Sequence, residues 1–130
     1  MPERILVIND NEEIQELLTL ILGREAGYDV VAQTFKPHVL DDVETLKPDL
    51  IICDYIFGQE RLGWDFVQKL KLRQETANIP VIICSGAIEE LREMEGYLAQ
   101  MDIGVLYKPF TIEDLLSAVQ KKLESDKGDP

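Results

Sequence analysis

The sequence predicts an α/β domain, a three-layer sandwich in which one parallel sheet of five strands lies between two layers of helices. Three observations predict it. Five short apolar runs alternate with longer stretches whose apolar residues recur at helical intervals. The runs are apolar almost throughout rather than at every second residue, as strands covered on both faces must be. Four runs end in polar residues: Asn9-Asp10 after RILVI, Asp54 after DLIIC, Ser85 after PVIIC, and Lys108-Pro109 after GVLY. Strands of one parallel sheet, joined by right-handed crossovers, bring such endings to a single edge, where open α/β folds place their chemistry.

Each element follows from its local pattern. Residues 4–8 form an interior strand, and Ile14, Leu17, Leu18, Ile21 and Leu22 then fall at helical spacing until Gly27 stops the helix. Tyr28 to Ala32 make a second, β-branched strand. A weaker helical segment around Val39, Val43 and Leu46 ends before Pro48. Asp49 to Cys53 are the third strand, and Phe66, Val67 and Leu70 mark a helix after the loop YIFGQERLG. Residues 80–84 are the fourth strand, Leu91, Met94, Leu98 and Met101 give a fourth helical stripe, and GVLY is a short fifth strand. The closing helix carries Ile112, Leu115, Leu116, Val119 and Leu123; Thr111 is placed to cap it, with Asp114 three residues on. One domain over residues 1–124 is expected, with 125–130 (SDKGDP) as a frayed tail or the start of a linker.

Composition narrows the function classes. With 130 residues, 45% of them apolar, the chain has the size and core of one globular domain. No apolar run approaches the roughly 20 residues needed to cross a bilayer, and MPERILVIND lacks the features of a signal peptide, so a cytoplasmic location without membrane contact is expected. The formal net charge of -12, with no basic stripe to offset it, argues against direct nucleic-acid binding. Cys53 and Cys84 each close an apolar run and read as buried thiols.

Taken singly, the polar endings have ordinary explanations: Asp10 as a helix cap, Ser85 as a turn former, Lys108 as a solvated amine. Together they suggest a pocket. Two neighbouring carboxylates, Asp10 and Asp54, repel unless a cation sits between them, and a hard divalent ion with oxygen ligands meets that need. Mg2+ fits best, with Mn2+ as the alternative. Such an ion neutralises phosphoryl oxygens while Asp54 attacks phosphorus, giving an acyl phosphate. Lys108 and the Ser85 hydroxyl then contact phosphoryl oxygens, and Gly86 leaves room for the incoming donor.

The runs ILVIND, DLIICD, VIICSGA and YKPF, in this order and at these distances over residues 4–124, resemble the receiver domain of two-component response regulators. The resemblance implies a flavodoxin-like (βα)5 fold with strand order 2-1-3-4-5. It implies Asp54 as phosphoacceptor, Asp10 as a direct metal ligand, Asn9 as a metal contact through water, and Ile56 as donor of a backbone carbonyl to the metal. It also assigns Ser85 and Lys108 to the phosphoryl group and places a cis peptide before Pro109. The implied partners are a sensor histidine kinase or histidine phosphotransfer protein, a downstream protein of unknown identity, and a second copy of the chain as a homodimer. His38, beside Pro37 and without companion ligands, reads as a surface histidine rather than the phosphoryl donor.

The chain departs from the family pattern at several positions. Asn9 replaces the first acidic residue, which removes one negative charge from the site. Phe57-Gly58 stands where the family usually has Met-Pro. Ile56 and Ala87 occupy positions that help set acyl-phosphate hydrolysis, and neither orients a water, so a long-lived phosphoryl state is expected. Val105 stands where an aromatic switch residue is common; Tyr107, two residues on, projects to the same side of the strand. A pseudo-receiver that only binds proteins is the alternative. A flavin carrier is disfavoured by the acidic NDNEEIQ loop, and a serine hydrolase by the lack of a nucleophile elbow or histidine partner for Ser85.

Overall fold

The computed structural model of the chain describes residues 2–34, 39–54, 62–86 and 88–127. His38, Ile56, Phe57, Gly58 and Ala87, all named above, lie outside the described residues. In chain order the elements are β1 (Arg4–Ile8), α1 (Glu12–Thr19) continued by a π-helical turn (Leu20–Glu25), β2 (Asp29–Gln33), α2 (Val39–Leu46), β3 (Leu50–Asp54), α3 (Leu62–Leu72), β4 (Val81–Ser85), α4 (Ile88–Glu93), α5 (Glu95–Gln100), β5 (Ile103–Tyr107) and α6 (Ile112–Lys127). All pairings are parallel and the strand order is β2-β1-β3-β4-β5, the expected flavodoxin-like arrangement.

Alternation along each strand feeds two separate cores. Leu6, Ile8, Ile51, Cys53, Val81 and Ile83 point to one face, where Val43, Phe66, Val67, Leu70, Leu91 and Leu98 cover them. Ile5, Val7, Leu50, Ile52, Ile82 and Cys84 point to the other, under Leu18, Ile21, Leu22, Leu115, Val119 and Leu123. Both faces of the inner strands are therefore dry, which is why these strands read as unbroken apolar runs. Each such Leu or Ile contributes about 1.5–3 kcal/mol of transfer free energy.

The ends of the elements carry the site. Asn11 caps α1, its Oδ1 accepting from the N–H groups of Glu13 (2.8 Å) and Ile14 (3.2 Å). Gly27 ends the same helix region at φ +81°, a backbone state that favours glycine. At the start of α6 the expected capping box is present: the Asp114 N–H donates to Thr111 Oγ1 at 2.9 Å, and the Thr111 N–H donates to Asp114 Oδ2 at 3.2 Å.

The structure corrects the sequence reading in three places. The fourth helical stripe is split, because Met94 leaves helical geometry at φ -99°, ψ 1°. Leu91 and Leu98 remain buried on one core across the break, so the apolar spacing survives it. The strands β2, β3 and β4 each run one residue later than expected, because ladder pairing continues through Asp54 and Ser85. The last helix continues to Lys127, so 125–127 are helical rather than frayed; no glycine or proline occurs before Gly128.

Candidate functional site

Register places the polar endings side by side. Cys53 is opposite Ile8, so Asn9 follows β1 at the level of Asp54, and Asp54 is itself opposite Cys84. Ser85 is opposite Tyr107, and the Lys108 N–H donates to the Ser85 carbonyl at 3.0 Å. Asp54, Ser85 and Lys108 thus come from three adjacent strands at one sheet edge. The Lys108–Pro109 peptide is cis.

Asp54 is the central carboxylate. Its side chain is 16% exposed, and Lys108 Nζ lies 3.7 Å from its Oδ2 with the lysine 30% exposed. At that separation the pair is a loose ion pair, attractive but without the geometry of a short charge-assisted hydrogen bond. A lysine so placed can exchange a carboxylate oxygen for a phosphoryl oxygen with a small movement. Lys108 is therefore not simply a solvated amine. Ser85 is buried at the end of β4 and is not a turn residue. Gly86 lies against the same loop: a Cβ there would meet Lys108 Cβ at 4.0 Å.

Asn9 is buried and held from three sides. Its N–H donates to the Gln33 carbonyl (3.0 Å), its Oδ1 accepts from the Asn11 N–H (2.9 Å), and its carbonyl accepts from Gln15 Nε2 (2.6 Å). Asp10 is exposed, and since Asn11 is the cap of α1, the capping explanation of Asp10 is overturned. Asn11 and Gln15 were missed in the sequence. The legible signal was position: a residue one turn into a helix projects back toward its N-terminus, which aims Gln15 at the loop.

Among the described residues no group of three or more His, Cys, Asp or Glu side chains is arranged to hold a metal ion. The Asp10 and Asp54 carboxylates and the Asn9 amide offer hard oxygen donors, the kind that Mg2+ or Mn2+ takes while keeping several waters. The two thiols are inert by comparison. Burial, reinforced by the Asp54 charge, pushes Cys53 far above its ordinary range, and burial pushes Cys84 up to about 11, with Lys108 lowering and Asp54 raising it.

On β5, Val105 and Tyr107 face the same core, as strand alternation requires. Val105 packs there as a small aliphatic residue. The Tyr107 hydroxyl donates to Glu95 Oε1 at 2.8 Å, and Arg92 Cζ stands 5.8 Å from the ring centroid. Local desolvation, then the Glu95 hydrogen bond and charge, raises the phenol above its usual range.

Asp54, Ser85 and Lys108, at the ends of three adjacent parallel strands, form the edge of a signalling receiver domain, as the family comparison shows. The chain matches the response regulator receiver domain model over residues 5–120 and belongs to that family, a component of two-component signalling. It is 32% identical over 122 residues to the DNA-binding dual master transcriptional regulator RpaA of Synechocystis, covering 92% of this chain and 48% of that protein. The signal receiver domain of a signal transduction histidine kinase from Syntrophus aciditrophicus superimposes with a TM-score of 0.79 at 25% identity, over 98% of this chain and 95% of that one. The receiver domain of the sensor histidine kinase PA1611 from Pseudomonas aeruginosa, solved with a magnesium ion in its active-site cleft, shares the fold at 20% identity with a TM-score of 0.77, over 95% of this chain and 98% of that one. The chain spans about half the length of the curated relatives it matches. No described helix is long and apolar enough to cross a membrane.

Proposed function

We propose that this chain is a phosphoacceptor: it takes a phosphoryl group from the phosphohistidine of a sensor kinase or phosphotransfer protein onto Asp54 and presents an altered surface to a downstream protein. The observation that carries this reading is the carboxylate at the end of β3 with Lys108 Nζ 3.7 Å away and Ser85 on the adjoining strand. In the reaction an Asp54 carboxylate oxygen attacks phosphorus in line. The P–O bond to Asp54 forms as the P–N bond to the donor imidazole breaks, and the imidazole leaves with the electron pair. Lys108 pairs with a phosphoryl oxygen, and the Ser85 hydroxyl donates to another. Asp10, Asp54 and the Ile56 carbonyl, with Asn9 through water, would hold Mg2+, which would supply charge neutralisation of the phosphoryl oxygens. The polar clamp around Asn9 supports a second role for that residue, holding the loop that carries Asp10.

Val105 has no aromatic ring to swing, so output on this reading runs through the segment after Ser85, where Tyr107, Glu95 and Arg92 meet. A pseudo-receiver acting only by protein interaction is the second reading, favoured by the edge having two carboxylates in place of three. Intact mass after incubation with Mg2+ and a small acyl phosphate, or with a phosphorylated histidine donor, separates them. A phosphoryl-sized adduct on the parent and none on Asp54→Ala supports the acceptor. No adduct from either donor supports the pseudo-receiver.

A further inference from the structure

We infer that Gln15 is a positioning residue that, together with the Asn9 side chain, sets the backbone of Asp10 for metal binding; this rests on the phosphoacceptor reading above. Peptide groups are planar, so the direction in which the Asp10 side chain leaves the backbone is governed by the two peptide planes that flank it and the two dihedrals between them, and its rotamers start from there. The plane before Asp10 contains the Asn9 carbonyl, and Gln15 Nε2 donates to that oxygen at 2.6 Å. The plane after Asp10 contains the Asn11 N–H, which donates to Asn9 Oδ1 at 2.9 Å. Both planes are therefore tied by side chains, one by Gln15 from the second turn of α1 and one by Asn9.

The clamp is anchored at both ends. Asn9 is fixed to β2 through its own N–H, which donates to the Gln33 carbonyl at 3.0 Å. Gln15 sits on a helix whose first amides are satisfied by the Asn11 cap, and the Gln15 N–H donates to the Asn11 carbonyl at 3.1 Å. The loop between β1 and α1 is thus closed by side-chain bonds around an exposed aspartate. A site with only two carboxylates has less charge with which to draw a divalent ion, so its affinity depends more on having the exposed one already oriented. Removing the Gln15 donor frees one plane, and Asp10 must then be ordered at the cost of binding.

Gln15→Met keeps length, charge and helix propensity but cannot donate; Gln15→Leu is a second variant with the same defect. Leu17→Ala, on an exposed position of the same helix, is the control for a substitution in α1 that leaves the clamp untouched. Calorimetric titration with Mg2+ and acyl-phosphate labelling across an Mg2+ series are read together on all four proteins. Both Gln15 variants are expected to bind Mg2+ about three- to tenfold more weakly, the loss typical of one hydrogen bond. The Mg2+ concentration for half-maximal labelling should rise by the same factor, with the labelling rate at saturating Mg2+ within twofold of the parent and Leu17→Ala unchanged. Parent-like Mg2+ affinity in either folded Gln15 variant overturns the inference and leaves the phosphoacceptor reading standing. So does a weakening that Leu17→Ala shares. A parent that neither binds Mg2+ nor accepts phosphate refutes the underlying reading, and this inference with it.

Discussion

Asn9→Asp tests the electrostatics of the edge directly. The substitution adds one negative charge at a position only 4% exposed while keeping an oxygen that accepts from the Asn11 N–H at 2.9 Å, so the loop clamp is retained and charge is the main change. A carboxylate that contacts a divalent ion through one water stands about 4.5 Å from it, and at that separation one extra charge is worth roughly 1–2 kcal/mol per unit charge on the ion for effective dielectric constants of about 80 to 40. Counting one net unit of cation charge, since Asp10 and Asp54 already offset much of the ion, the variant should bind Mg2+ roughly five- to thirtyfold more tightly.

The same charge has an opposite effect without the ion. A buried carboxylate at position 9, next to the exposed Asp10 and on the same edge as the partly buried Asp54, raises repulsion that Lys108 only partly offsets, so the metal-free variant should unfold at lower urea than the parent. Saturating Mg2+ should reverse the order, because a ligand bound only by the folded state stabilises it in proportion to the logarithm of its concentration over Kd. Titration calorimetry for affinity and urea unfolding with and without Mg2+ measure both halves. Mg2+ affinity within twofold of the parent, or weaker, refutes the assignment of Asn9 to the metal's surroundings.

Two further outcomes follow from the same structure. Thr111→Ala removes the acceptor for the Asp114 N–H and should cost about 1 kcal/mol, a fall in Tm of about 3–5 °C by calorimetric scanning. Cys84 governs an alkaline effect: a thiol ordinarily loses its proton near 9.0, and in the folded chain burial, first, pushes this one up to about 11. Between these values the unfolded state has lost its proton and the folded state has kept it. Stability is therefore full below pH 9 and falls as pH rises toward 11, by up to about 1.4 kcal/mol per pH unit for one thiol. Urea unfolding across that range should show a shallower fall for Cys84→Ala, and an unchanged slope would refute the buried-thiol account.

Much of this protein was legible because its sheet is covered on both faces. Unbroken apolar runs such as LIIC and VIIC have few alternatives to interior strands, and the parallel order then forces their polar endings together. Edge strands were less distinct: β2 is only partly buried, so its residues do not make the unbroken apolar run of an interior strand. The break at Met94 was invisible because Leu91 and Leu98 keep a helical interval whether or not the backbone between them is continuous. Which residue caps α1 was not legible, since Asp10 and Asn11 are both good caps and only the backbone shows that the Asn11 side chain reaches the free amides. Asp54, Ser85 and Lys108 announced themselves by type and position, whereas Gln15 acts through a hydrogen bond to a main-chain oxygen, which periodicity does not register.

The two departures that stand out in the sequence look different once these contacts are included. Asn9 gives up a charge yet keeps the acceptor oxygen that closes the loop, so the substitution separates two functions that an aspartate performs at once: attracting a cation and bracing its neighbour. Val105 gives up a ring, while Tyr107, on the same face of β5 and next to Lys108, holds its hydroxyl against Glu95 just beyond the break between α4 and α5. Asn9 thus removes charge and keeps the bracing oxygen itself, whereas at Val105 the ring is gone and Tyr107, held by Glu95 and Arg92, is the aromatic residue on that face of β5. On the proposed reading the edge is an acceptor with less charge but a tightly tied loop, which makes Mg2+ concentration, rather than the presence of Asp54 alone, the variable to which its phosphorylation should respond most steeply.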